Sequence, residues 1–189
     1  MIGRLRGILV ATRESGIIID VAGVGYEVSM TTRDLASLPG ISEEIVVHTH
    51  THVREDEISV YGFAAEADRE LFRILLGASG VGPKVAMALL ASMTSDEIVR
   101  AITGEDPDAL TIAPGVGKRG AQKIVLELGE KLSGREVEIV GGHALGGVRQ
   151  ALEGLGYSTA EINAVVRDLD PNESIEDQVK KALQRLAKG

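Results

Sequence analysis

The sequence has no cysteine, which excludes disulfides, zinc–thiolate sites and thiol nucleophiles. It has no tryptophan, and aromatics make up only 3% of its 189 residues, so its cores must be built from Leu, Ile, Val and Ala in small units. No apolar run approaches the roughly 20 residues of a membrane span. The start, Met1-Ile2-Gly3-Arg4-Leu5-Arg6-Gly7, runs into alternating residues without a signal-peptide core. A soluble cytoplasmic protein is therefore expected. The net charge of −8 argues against a surface that grips nucleic acid all over. The length allows one ordinary domain or two to three small ones.

What is present is a phrase used twice. Ser79-Gly80-Val81-Gly82-Pro83-Lys84 returns 35 residues later as Pro114-Gly115-Val116-Gly117-Lys118-Arg119. Its flanks repeat too, with Leu75 aligned to Leu110, Ala86 to Ala121 and Leu89 to Ile124. Each copy joins two apolar stretches through glycines that bracket a valine, the pattern of two helices closed by a tight hairpin. Charge is distributed to match. Between Ala109 and Val125 stand Lys118, Arg119 and Lys123 with no acid, and between Leu71 and Ser95 stand Arg73 and Lys84 with no acid. Positive charge is thus local to the repeated phrase inside an acidic chain.

Residues 1–62 read as strands. Ile2–Val10 and Ile17–Val21 flank an Arg13–Gly16 turn, and Gly23–Met30, Ile45–Val53 and Ile58–Tyr61 complete five. Thr31–Leu38 reads as one short helix. A compact barrel of the OB type fits this order. His48, His50 and His52 share one strand face, opposite Ile45, Val47, Thr49, Thr51 and Val53 on the expected core side. No partner carboxylate completes a metal site, so the histidines read as a solvated or interface face. The Glu55-Asp56-Glu57 tip reads as a solvated turn, or as a repulsive element held against phosphates.

Residues 63–133 read as helices. Ala64–Leu76 has Ala67, Leu71, Ile74 and Leu75 on one side. Pro83 suits a first helical position, Thr94-Ser95-Asp96-Glu97 is a capping box, and Asp106-Pro107 opens a short helix. The last helix has its apolar stripe at Ala121, Ile124, Val125, Leu128 and Leu132, leaving Lys118, Gln122 and Lys123 outside. Glycine lets a phosphate approach the main chain, and a following helix start offers N–H groups and a positive dipole end. Gly115–Gly120 also matches the dinucleotide fingerprint, but a short helix and loop precede it where a strand is required. A Walker loop would need glycine at 112 and Ser or Thr after the lysine, where the chain has Ile112 and Arg119. No ATP site or other cofactor is expected. A structural turn alone explains one copy, whereas two copies with basic flanks favour phosphate binding.

Residues 134–143 read as a glycine-rich linker and 144–189 as a small three-helix unit, near the lower size limit for its own core. Val148–Leu155 ends at Gly156, Ser158-Thr159-Ala160-Glu161 is a second capping box, and Ser174 can cap a last helix with Ile175, Val179, Ala182, Leu183 and Leu186 on one stripe. The expected fold class is α+β multidomain: an OB-like barrel (1–62), a tandem helix-hairpin-helix domain (63–133), the linker, and a bundle like those of ubiquitin-associated domains.

Tandem Gly-Val-Gly hairpins behind a small β domain resemble the RuvA family, the DNA-binding subunit of the bacterial Holliday-junction branch-migration machine. The start of the chain, Gly23-Val24-Gly25-Tyr26, Val53-Arg54-Glu55-Asp56, Tyr61-Gly62-Phe63, Leu71-Phe72 and Leu126-Glu127-Leu128 with Lys131 all look like family sequence. The resemblance implies a non-catalytic subunit of an ATP-dependent complex in recombination, repair and the SOS response. Four copies would hold a four-way DNA junction open, with one or two tetramers per junction, and the RuvB ATPase motor and RuvC resolvase as partners. DNA-binding residues would be Gly80, Val81, Gly82, Lys84, Gly115, Val116, Gly117, Lys118, Arg119 and Lys123. Glu55 and Asp56 would form an acidic pin, with Glu57 an extra acid. Leu155, Tyr157 and Leu186 would contact the motor. A glycosylase or nuclease using hairpins for grip is the alternative, but Asp96 and Asp106 are already accounted for as helix starts.

Overall fold

Period-two alternation builds a barrel because one face of each strand must find an apolar interior. In the computed structural model β1 (Arg4–Arg13), β2 (Gly16–Val21), β3 (Val24–Ser29), β4 (Glu44–Val53) and β5 (Ile58–Phe63) close in the order β1-β2-β3-β5-β4. All pairings are antiparallel except β3 with β5, which meet in parallel at Ser29 and Tyr61. A bulge between Leu9 and Ala11 bends β1, which pairs with β4 near its start and with β2 near its end. Leu5, Leu9, Ile17, Ile19, Val28, Ile45 and Val47 fill the interior. Helix α1 (Thr32–Ala36) links β3 to β4 and is capped by the Thr31 side chain.

The structure describes residues 1–133, 148, 151–152, 154–157, 159–166, 169 and 175–186. They fall in two units, Met1–Ser133 and Gly134–Gly189. Two strands differ from the sequence pattern at their far ends. β1 continues to Arg13, leaving a two-residue turn before Gly16. β4 keeps its core side only to Thr49. Beyond it, Thr51 accepts the Ile2 N–H at 2.8 Å, and Val53 is 67% exposed. The hairpin tip has left the barrel by then.

β5 leads into α2 (Glu66–Leu75), and this junction concentrates the chain's few aromatics. Phe63 and Phe72 are fully buried with ring centroids 5.0 Å apart, Tyr61 lies 5.4 Å from Phe72, and His50 meets Phe72 edge-on at 5.3 Å. Helix α2 thus buries one wide stripe: Ala67, Leu71 and Leu75 lie along it, and Phe72 at its edge reaches the aromatic group. Polar ties reinforce the joint. Arg33 donates to the Met93 carbonyl and Arg69 to the Gly3 carbonyl, both at 2.8 Å. Ala64 N–H donates to Asp34 at 3.3 Å, and Ser95 donates to Asp68. The histidine face is therefore an interface between barrel and helix at His50. Among the described residues, no cluster of His, Asp and Glu could hold a metal.

Helices α3 (Pro83–Ser92), α4 (Ser95–Thr103), α5 (Pro107–Leu110) and α6 (Lys118–Ser133) pack over Leu71, Leu75, Leu89, Ile98, Ile102, Leu110, Ile124 and Leu128, all buried. The Thr94–Glu97 capping box forms with both bonds, and Asp106 caps α5. In the second unit, α7 (Thr159–Val166) and α8 (Ile175–Leu186) share a core of Val148, Leu152, Ile162, Val166 and Ala182. Gly156 has φ +89°, and the Tyr157 N–H returns to the Leu152 carbonyl at 3.2 Å, a left-handed helix stop. Val179, Leu183 and Leu186 of the expected stripe pack on this core. Ser158, Ser174 and the linker at 134–143 lie outside the described residues. Among the described residues, no helix is long and apolar enough to cross a membrane.

Burial holds the His50 pKa below its ordinary 6.5, helped by Arg73, His52 and Arg69. The unfolded chain takes up this proton first, so the stability contribution is present above the ordinary histidine range and is lost as pH falls through it. Urea unfolding is expected to show stability falling from about pH 7 to pH 5, with a smaller fall in His50→Gln. Equal slopes would remove the assignment.

Candidate nucleic-acid interface

The two hairpins share their central turn bonds. Val81 N–H donates to the Ala78 carbonyl and Val116 N–H to the Ala113 carbonyl, each at 3.1 Å. The Ala86 N–H reaches the Gly82 carbonyl at 3.0 Å and Ala121 reaches Gly117 at 2.9 Å. Gly80 and Gly115 have φ of +84° and +87°, a region open to glycine and strained for other residues. Val81 and Val116 are buried, and their amides are used inside the turn. As side chains they anchor the loop from behind and leave only an edge exposed.

The second glycine of each copy has a different basis. Neither Gly82 nor Gly117 has a positive φ, and a Cβ added at either would meet nothing within 4 Å. The fold itself does not demand glycine there. What bare glycine provides is access, and it does so at the start of α3 and of α6. Gly82 has no side chain to cap α3; Pro83 has no N–H and the Val85 N–H is given to the Gly82 carbonyl at 3.0 Å, so the Lys84 amide is what the first turn offers to an outside acceptor.

First-turn charge gives the clearest signal. Helices α1, α2, α4, α5, α7 and α8 all carry Asp or Glu in the first turn, the usual complement to a helix's positive end. Helices α3 and α6 carry none. In their place stand Lys84, Lys118 and Arg119, with Lys123 one turn further along α6, all exposed. The hairpins meet at a shallow cleft of about 290 Å³ lined by Gly80, Val81, Gly115, Val116, Arg119 and Lys123, among others. One long-range contact had no counterpart in the sequence pattern: the Ser79 N–H donates to Glu127 Oε2 of α6 at 2.7 Å.

At the β4–β5 tip, the Arg54 N–H closes on the Glu57 carbonyl at 2.8 Å, and Glu57 accepts from Ser59 Oγ at 2.8 Å. Glu57 is thus a turn-forming residue. Glu55 and Asp56 are exposed. In the second unit Leu155 is 60% exposed, whereas Tyr157 and Leu186 pack partly against the core.

The division between the glycines is testable by thermal melting. Gly80→Ala and Gly115→Ala are expected to destabilise the chain by about 1–2 kcal/mol each, the cost of a left-handed residue with a Cβ. Gly82→Ala and Gly117→Ala should cost clearly less.

Comparison with known proteins matches three stretches of the chain. Residues 1–62 match the RuvA N terminal domain, 72–130 a SAM-like helix-hairpin-helix tandem, and 144–187 the RuvA C-terminal domain. Among similar proteins, that of Laribacter hongkongensis is 38% identical over 201 residues, covering 100% of both chains. That of Rubrobacter xylanophilus is 39% identical over 192 residues, covering 98% of each. That of Pseudomonas fluorescens SBW25 is 40% identical over 202 residues, covering 98% of this chain and 100% of its own. Each is named Holliday junction branch migration complex subunit RuvA. With relatives this similar along its full length, the chain belongs to the RuvA family.

Proposed function

We propose that the chain is the DNA-binding subunit of a branch-migration complex and that it recognises four-way junctions through their phosphates. The observation that carries this reading is the absence of first-turn acids in α3 and α6 alone among the described helices, with open glycines and exposed cations in their place. Gly80, Gly82, Lys84, Gly115, Gly117, Lys118, Arg119 and Lys123 would take phosphates of one strand without reading bases. Val81 and Val116 hold the turns that do so. Such contacts position a duplex and carry no sequence information.

Selectivity for a junction needs a second element, and the Glu55–Asp56 tip supplies it. Two carboxylates at the end of an extended hairpin repel phosphates and disfavour a straight duplex lying across them. Four copies around one junction would set four such tips at its centre, where strands separate. The work of migration would come from the RuvB ATPase, docked through the second unit. Exposed Leu155 supports a contact there; Tyr157 and Leu186 would contribute from the edge of the core. RuvC would act on the same junction, one or two tetramers would enclose it, and the cytoplasm would be the location. The subunit itself would be non-catalytic. A glycosylase or nuclease is not favoured, since Asp106 is committed to a helix cap.

Binding of a four-way junction should be compared with linear duplex of equal length across a salt series. Tighter junction binding with a steep fall in affinity as salt rises is expected; equal affinities would remove the junction reading. Gly82→Val and Gly117→Val should weaken binding to all DNA. Glu55→Gln with Asp56→Asn should preserve or raise duplex affinity while eroding junction preference, and loss of all binding would refute the tip's assigned role.

A further inference from the structure

The two hairpins differ at one position in how they are held. Ser79, just before the left-handed Gly80, donates its N–H to Glu127 across 48 residues of sequence. Its counterpart 35 residues on is Pro114, which has no N–H and has its φ fixed by its ring. The second hairpin is therefore pre-set covalently where the first is tied by a hydrogen bond. The acceptor lies on α6, the helix that begins at the second hairpin. Lys123 and Lys131, four residues to either side, share that face of α6. The Ser79 N–H, with Lys123 and Lys131 adding to it, holds the Glu127 carboxyl below its usual range, so it is charged at neutral pH.

An acid beside phosphate-binding cations is unexpected if charge alone matters, because it repels the ligand. Its geometry offers a different role. We propose that Glu127 is a positioning residue for DNA binding: by holding the Ser79 N–H it fixes the turn of the first hairpin, as the ring of Pro114 fixes the second, so that both turns present their main chain alike to one strand. This rests on the phosphate-binding reading of the hairpins.

The two roles predict opposite signs. If Glu127 is only a surface charge, Glu127→Ala and Glu127→Gln both bind DNA more tightly than the parent. If it positions the hairpin, Glu127→Ala binds about fivefold more weakly, as expected for loss of one ordering hydrogen bond, and with a shallower salt dependence. Glu127→Gln, which keeps an oxygen acceptor, should bind at least twofold more tightly than Glu127→Ala. Ser79→Pro, copying the second hairpin, should restore binding in the Glu127→Ala background although no acceptor returns. These measurements use the full chain and a four-way junction, with thermal melting to establish that each variant is folded. Affinity in Glu127→Ala equal to or above the parent overturns the proposal, as does failure of Ser79→Pro to rescue a folded double variant. Gly82→Val and Gly117→Val in the same assay separate the two readings. If they bind normally, phosphate binding by the hairpins is wrong; if they weaken while Glu127→Ala does not, only the positioning role is wrong.

Discussion

A loop that offers its main chain to an anion must be held from behind. Any side chain on its outer surface would block the approach, and any cap within the chain would consume the amides on offer. The hairpins meet this constraint with Val81 and Val116, which are buried beneath the turns, and with Gly80 and Gly115 in the left-handed conformation that brings the chain back. Gly82 and Gly117 then leave the helix starts open. The rest of the helical domain follows from this arrangement. Leu75 and Leu110 before the turns, and Leu89 and Ile124 after them, are buried in matching positions and keep the two turns alike.

Electrostatics carry the same division of labour. A helix start contributes only about 0.3–1 kcal/mol to an exposed anion, too little to overcome an acid placed beside it. Six described helices use that small term internally, on their own Asp or Glu, and two leave it unspent. If the hairpins take phosphates as proposed, a protein with net charge −8 would bind a polyanion through two confined windows. The remaining surface stays acidic and discourages contact elsewhere.

Much of this was legible in the sequence because it is local. Each copy of the repeated phrase, the Thr94–Glu97 box and the Asp106 cap involve residues within a few positions of one another, and all appear where their spacing puts them. Periodicity was less complete where one element serves two neighbours. On α2 the periodicity marks Ala67, Leu71 and Leu75 but not Phe72, which borders the same stripe and is buried because it meets the aromatic side chains of the barrel. On β4 the alternation gave the correct face but not where the barrel ends, so Val53 reads as core and is exposed. The bond from Ser79 to Glu127 has no local signature at all. The purpose of Val81 and Val116 was likewise hidden, since a valine between glycines reads the same whether it points in or out.

The short path from the acidic tip to the first hairpin helix imposes a limit on length. β5 starts at Ile58, ends at Phe63, and only Ala64 and Ala65 separate it from α2. Gly62 is wedged so tightly that a Cβ would lie 2.4 Å from Val28 Cγ1, which fixes the strand against sliding. One residue inserted between Ile58 and Phe63 would turn every later side chain of the strand to the opposite face. Phe63 would leave the aromatic group, and α2 would start from a rotated position. Relatives of this protein should accordingly gain and lose residues at loops and linkers, while the count from the base of the tip to the start of α2 stays constant.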